Sequence, residues 1–272
     1  NIFYGAMGDP FNPLYDPLHR KLVCVFGQVF LIDLIDKIED IVVMINSNTD
    51  GLFFKVKKSL IPELKRRVGE WEKRTLLQME YAEYTKFISK DVNNYLAVMT
   101  NGDIHAKGAY VKDLNDLDFD LPIVNEALRN YMIFGTPVEV TIEACMDFRK
   151  FQKIVKLSSK YQWVEHERGV ATLVDQVDIW GYKTGKKVNV YSDSVKYENK
   201  AYRVFASKDT SDGRLLKCKA TEKGDKKDKF GNTPDRCFIY NDDLTGVPIP
   251  DKLDRGYYID LAKKRLGDFG LC

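Results

Sequence analysis

The sequence has little that would suit a metalloprotein of the histidine or cysteine kind. Three histidines occur in 272 residues, and His19, His105 and His166 are isolated from one another. Five cysteines (Cys24, Cys145, Cys218, Cys237, Cys272) are scattered without a Cys-x-x-Cys pair. That spacing argues against a disulfide framework and against a zinc knuckle, so a reducing cytoplasm is the expected compartment. No apolar run approaches the roughly 18 residues that a membrane-crossing helix needs. The oiliest stretch, Leu22 to Ile35, is interrupted by Gly27, Gln28 and Asp33, and no membrane partner is expected. No signal peptide is visible in these residues. The chain opens on Asn1-Ile2-Phe3-Tyr4 rather than on Met, which reads like the inside of a structured element.

What is present is a globular composition, 44% hydrophobic and 30% charged, enough for one large domain or two ordinary ones. Charge is unevenly spread. Lys183 to Lys229 holds 14 Lys/Arg against 7 Asp/Glu, so this stretch is net +7 and the rest of a +2 chain is net −5. A basic segment of this kind suits a polyanion, although a solvated lysine-rich loop has the same composition.

Residues 5–17 are rich in turn formers. From Leu18 to about Asp40, the apolar positions Leu22, Val25, Phe26, Val29, Leu34, Ile35 and Ile38 fit a buried helix. Ile41–Ile45 and Leu52–Val56 read as two strands of a hairpin, with Asp50 at the polar turn between them. A helix is predicted from Pro62 to about Ile88. Tyr95–Met99 and Ile104–Val111 form a second hairpin around Asn101-Gly102. Leu121-Pro122 opens another helix to about Phe134, and Val138–Val155 reads as mainly helical. Short strands with Gly- and Lys-rich loops follow Tyr161. A last helix spans Asp251–Gly267, with Lys263, Lys264 and Arg265 near its carboxyl end, where the helix dipole favours cations. The whole is α+β: an antiparallel sheet with packed helices, then a second mixed α+β region, with the boundary near Asp116.

Phosphoryl transfer by two metal ions needs carboxylates on rigid elements, and a hairpin tip is such a mount. Asp-Gly is also among the commonest hairpin turns, so Asp50 alone decides nothing. The order of motifs does. Asn1-Ile2-Phe3-Tyr4-Gly5 resembles the end of the fingers-helix motif Lys-x-x-x-Asn-x-x-Tyr-Gly of B-family DNA polymerases. About forty residues on, Asn48-Thr49-Asp50-Gly51 resembles their palm hairpin motif Asp-Thr-Asp-Ser. Between the two, Asn12-Pro13-Leu14-Tyr15-Asp16-Pro17 and Gly27-Gln28 resemble the bacteriophage-type branch. Asp91-Val92-Asn93-Asn94-Tyr95 stands where the family has Lys-x-Tyr beside the primer terminus. Asn101-Gly102 followed by Lys107-Gly108 resembles the Lys-Gly hairpin that comes next. Phe205-Ala206-Ser207-Lys208-Asp209 resembles a stretch of the phage thumb.

The resemblance implies a palm-like portion over 18–115, preceded by the fingers end and a connection over 1–17, and followed by a thumb over 116–272. It implies template-directed addition of deoxynucleotides to a primer 3′ end, in the host cytoplasm, with two Mg²⁺ ions in the complete site. Asp50 matches the metal-binding hairpin aspartate. Asn1, Tyr4 and Gly5 match the pocket for the incoming dNTP, with Gly5 allowing close backbone approach. Tyr95, Lys107, Gly108 and Lys208 match contacts to primer-template DNA. Three positions depart from the pattern. Asn48 replaces the first hairpin aspartate, Gly51 the serine, and Asn93 the lysine of Lys-x-Tyr. The family's other metal-binding aspartate and its fingers lysine would come from an upstream polymerase portion. A polymerase-derived DNA-binding module without catalysis, and an α+β structural domain with a basic loop, stand as the competing readings.

Overall fold

The computed structural model describes residues 2–48, 50–108, 110–111, 121–177, 180–222 and 224–271. The chain forms two compact units, Asn1–Glu83 and Tyr84–Cys272. The expected palm segment contributes to both, and the expected boundary near Asp116 lies outside the described residues.

In the first unit, α1 (Ile2–Ala6) leads through a turn-rich connection into α2 (Pro17–Ile38). Asp16 caps α2 through a bond from the His19 N–H, and Pro17 takes the first helical position, where a missing N–H costs nothing. Strands β1 (Val42–Ser47) and β2 (Leu52–Val56) pair as an antiparallel hairpin, and α3 (Ile61–Thr75) packs behind it. The core is small: Leu34, Ile38, Val42, Leu64, Val68 and Trp71 are buried, with Met44, Leu52 and Phe54 packed on them.

Two expectations need correction here. The helix over 18–40 exists, but it is not buried along its length. Leu31, Leu34 and Ile38 are its buried residues, whereas Val25, Phe26 and Val29 are each more than half exposed. Among the described residues, the unit buries α2 only along its second half. The helix expected over 62–88 stops at Thr75, where Leu76 takes a left-handed conformation (φ 60°) and its N–H returns to Glu72 O. Tyr84–Asp91 is strand, not helix.

The second unit begins with β3 (Tyr84–Asp91), β4 (Asn94–Met99) and β5 (Ile104–Lys107), an antiparallel meander. Leu96, fully buried, points from its centre into a core with α4 (Pro122–Phe134), α5 (Val138–Ala144) and α6 (Arg255–Asp268). Lys86 reinforces this packing by donating to the carbonyls of Met132 and Ile133 at the end of α4. Val138–Val155 is helical only as far as Ala144. A 3₁₀ turn (Phe148–Phe151) and β6 (Lys153–Lys156) follow.

Two further sheets complete the unit. One has the order β12 (Cys237–Ile239), β9 (Ala201–Ala206), β6, and the other β11 (Lys226–Lys229), β10 (Asp212–Lys219), β7 (Trp163–Val177), β8 (Lys183–Tyr197). Val164, Leu215, Val204 and Tyr202 fill the space between them. Of the three cations expected at the α6 terminus, Arg265 is buried, donates to Asn125 and lies 4.5 Å over the Tyr110 ring, while Lys263 pairs with Glu139. They tie helices together across the fold. Among the described residues, no helix is long and apolar enough to cross a membrane.

Candidate metal and nucleic-acid sites

The β1–β2 hairpin carries an extra residue. Met44 faces Phe54 and Asn46 faces Phe53, so Ile45 bulges. A bulge increases local twist and re-aims what lies beyond it. Beyond it the turn closes through the Asn48 N–H to Gly51 O (3.0 Å) and the Asp50 N–H to Asn48 Oδ1 (3.1 Å). The Asn48 side chain thus builds the turn, as Asn commonly does. It also explains Gly51, where a Cβ would sit 3.2 Å from Asn48 Oδ1. Asp50 is exposed at the tip, and its carboxylate makes no ion pair or hydrogen bond among the described residues. Thr49 lies outside them.

Asp50 is a single carboxylate, and the Asn48 oxygen already serves the turn. Among the described residues, no group of three or more His, Cys, Asp and Glu could hold a metal ion. Mg²⁺ takes near-octahedral oxygen coordination. The hairpin by itself does not fit a pair of such ions.

Tyr4 is fixed rather than loose. Its hydroxyl lies 3.2 Å from Cys24 Sγ on α2, and the Arg20 guanidinium covers its ring at 4.8 Å. Gly5 is exposed, and a Cβ there would meet nothing within 4 Å, so among the described residues no close approach explains this glycine. Asn1 lies outside the described residues. The arginines of α3 offer no free cations: Arg66 and Arg67 share Glu63 and Arg74 pairs with Asp33. Hydrogen bonds from Arg66 and then Arg67 hold the Glu63 carboxyl down to about 2.

In the second unit, two sequence landmarks close on each other. Tyr95 stands opposite Lys107 in the β4–β5 ladder, and Phe87 stacks on Tyr95 at 5.4 Å. Gly108 follows at φ +98°, and a Cβ there would lie 2.6 Å from Asn93 O. Only glycine suits this combination of conformation and contact. The β3–β4 turn against which it rests is held by Asp91, whose carboxylate accepts from the Asn94 amide (2.9 Å) and the Asn93 N–H (2.8 Å). Those bonds, the amide first, lower the Asp91 pKa. Lys107 is exposed and makes no ion pair among the described residues.

The thumb-like landmark resolves mostly into structure. Phe205 stacks on Phe148 at 4.2 Å, and the Ala206 N–H donates to the buried Tyr258 hydroxyl. Ser207 donates to Asp212 at 2.7 Å. Lys208 and Asp209 are exposed, and the Lys208 backbone N–H is bonded to Lys252 O. Sequence reading missed what surrounds it. Asp212, 0% exposed, draws in Lys252 Nζ at 3.1 Å and Arg168 Nη2 at 3.8 Å. Lys252 also lies 4.4 Å over the Phe238 ring. A buried carboxylate thereby gathers two half-exposed cations beside Lys208. Arg168 and Asp212 are partners in the β7–β10 ladder, so the signal was strand pairing, which residue spacing does not carry.

Compared with known protein families and with curated proteins, the chain matches no family model and no curated sequence.

Proposed function

We propose that the chain is the carboxyl-terminal portion of a B-family DNA polymerase of the bacteriophage type, a palm portion followed by a thumb. Asp50 supplies one ligand to the Mg²⁺ ions of the complete site, and an upstream portion supplies the rest. Tyr4 lines the dNTP pocket, and Tyr95, Lys107 and Lys208 meet primer-template DNA. The observation that carries this reading is the closure of Asp91–Tyr95 on Lys107-Gly108. Landmarks separated in sequence that resemble the family's motifs become one corner of one sheet, with an exposed lysine at its edge. The exposed apolar length of α2 supports the need for a further portion, since a helix that is hydrophobic all round is ordinarily buried.

A second reading has its own observation. The single carboxylate at the hairpin, with the Asn48 oxygen engaged in the turn, fits a DNA-binding module that has lost catalysis. Both readings expect the 272-residue chain to bind duplex DNA without sequence preference, because a grip on the backbone carries no sequence information. With four to six phosphates neutralised, log affinity falls against log salt with a slope of roughly −4 to −5. Titration of labelled primer-template at several salt concentrations reads this slope, and salt-insensitive binding or none at low salt removes both readings. Supplying the upstream portion separates them: metal-dependent extension supports the polymerase, and its absence the module.

A further inference from the structure

Beyond Arg168, β7 parts from β10 and continues with β8 alone. The ladder from Ala171↔Tyr191 to Val177↔Lys183 is a two-stranded ribbon standing outside the sheet. Residues 170–176 and 183–187 are all exposed. An isolated ribbon is marginally stable in water, and this one presents apolar side chains to solvent: Val170 is 73% and Leu173 59% exposed. At its tip Trp180 and Tyr182 are 77% and 73% exposed.

Charge is divided along the ribbon's length. Asp175 belongs to β7, and Lys183, Lys186 and Lys187 to β8. Lys183 pairs with Asp175 at 2.6 Å. Lys186 and Lys187 make no ion pair among the described residues. Lysines on an edge strand commonly guard it against pairing with another chain. Such protection has no use for a tryptophan and a tyrosine at the exposed end. At the root stand Arg168, Lys252 and Lys208, so cations are found at both the base and the shaft of the arm.

We infer that the ribbon, residues 169–177 and 180–191, is an arm that lies along a groove of duplex DNA, with Lys186 and Lys187 on phosphates and Trp180 and Tyr182 against the sugars and base edges at its tip. This rests on the DNA-binding reading proposed above. Complementarity is of charge and of shape, since a groove about 12 Å wide admits a two-stranded ribbon.

The test uses the whole chain and a fluorescein-labelled random-sequence duplex. Lys186→Ala/Lys187→Ala weakens binding about tenfold at low salt and makes the log-log salt slope shallower by about 1.8, two phosphates at 0.9 each. Its unfolding midpoint stays at the parent value, because both side chains are exposed. Duplex quenches the tryptophan emission of the parent, and Trp180→Phe loses that quench. A parent that binds duplex while both variants bind, titrate and quench as it does overturns the arm and leaves the DNA-binding reading standing. A parent that does not bind duplex at low salt overturns that reading and the arm with it. Losses confined to a single-stranded oligonucleotide overturn the duplex groove as the occupant.

Discussion

Two aspartates show how differently one side chain is used in the two units. Asp50 sits on a tip that the Asn48 side chain and a backbone bond hold in shape, and its own carboxylate is uncommitted. Asp212 is fully buried and engages Ser207, Lys252 and Arg168 at once. Backbone support around a free carboxylate is what a ligand position needs. A buried carboxylate that takes its hydrogen bonds on Oδ2 and has none on Oδ1 among the described residues instead sets the positions of its neighbours. Removing each acid therefore has opposite expected consequences: loss of chemistry without loss of stability at Asp50, and loss of stability at Asp212.

The largest effect is expected at the hairpin. With the upstream portion supplied, Asp50→Asn lowers nucleotide incorporation about a thousandfold, since a metal ligand in phosphoryl transfer stabilises the transition state by several kcal/mol and each ~1.4 kcal/mol is tenfold. Urea unfolding and duplex affinity stay at the parent values. An exposed Asp50 whose replacement left incorporation intact would erase the contrast. Asp212→Ala is the converse. It strips a hydrogen bond and two charge contacts from a site with no solvent to replace them, and about 2–3 kcal/mol of stability is expected to go. A shift in the urea midpoint measures it.

A third substitution asks whether the corner of the β3–β5 sheet is as constrained as the Asp212 loop. Gly108→Ala places a Cβ against Asn93 O at a backbone conformation costly for any residue but glycine, with an expected loss of about 2 kcal/mol. Survival of the parent stability would mean that the turn yields. The Asp212 neighbourhood also has a pH signature. His166, 2% exposed, donates through Nε2 to Cys237 O, and burial lowers its pKa from 6.5, outweighing that bond and the nearby Asp212 charge, while Arg168 and Lys252 push the same way as burial. A histidine depressed in the folded state binds its proton first in the unfolded one. Stability of this unit is therefore expected to fall as pH drops below about 6.5, and to level off once the folded-state pKa is passed. His166→Gln flattens that slope in urea titrations from pH 7 to 5.

Much of this architecture was legible because local signals were strong. Leu52–Val56 and Leu121-Pro122 through Phe134 carry clear strand and helix patterns, and their observed bounds match. The run 62–88 misled because its helix ends at Leu76, in a left-handed conformation without the usual glycine, so nothing in the sequence punctuated the stop. Asp50 was legible because a hairpin tip is a local feature. Asp212, Arg168 and Lys252 were not, since their meeting depends on strand pairing and on a loop contact some forty residues away. The burial of α2 was misjudged for a related reason: apolar periodicity reports what a helix could bury, not whether this chain provides the partner.

The smallest expected effect is also the one that best separates turn-building from chemistry. Asn48→Asp restores the carboxylate that the polymerase motif carries, at a residue whose present task is to accept the Asp50 N–H. A carboxylate oxygen accepts that bond as well, so the turn should persist and stability should change by no more than about 0.5 kcal/mol, the usual range for a surface substitution. Two acids then share one tip. Their repulsion raises the proton affinity of the pair, and a divalent cation relieves it, so weak Mg²⁺ binding by the isolated chain should tighten measurably by calorimetry. If Asn48 fills the less important of the two hairpin positions, incorporation with the upstream portion supplied stays within about a decade of the parent, or about 1.4 kcal/mol. A gain of several decades would mean that the asparagine had disabled the site, and the DNA-binding module would then be the better reading of this chain.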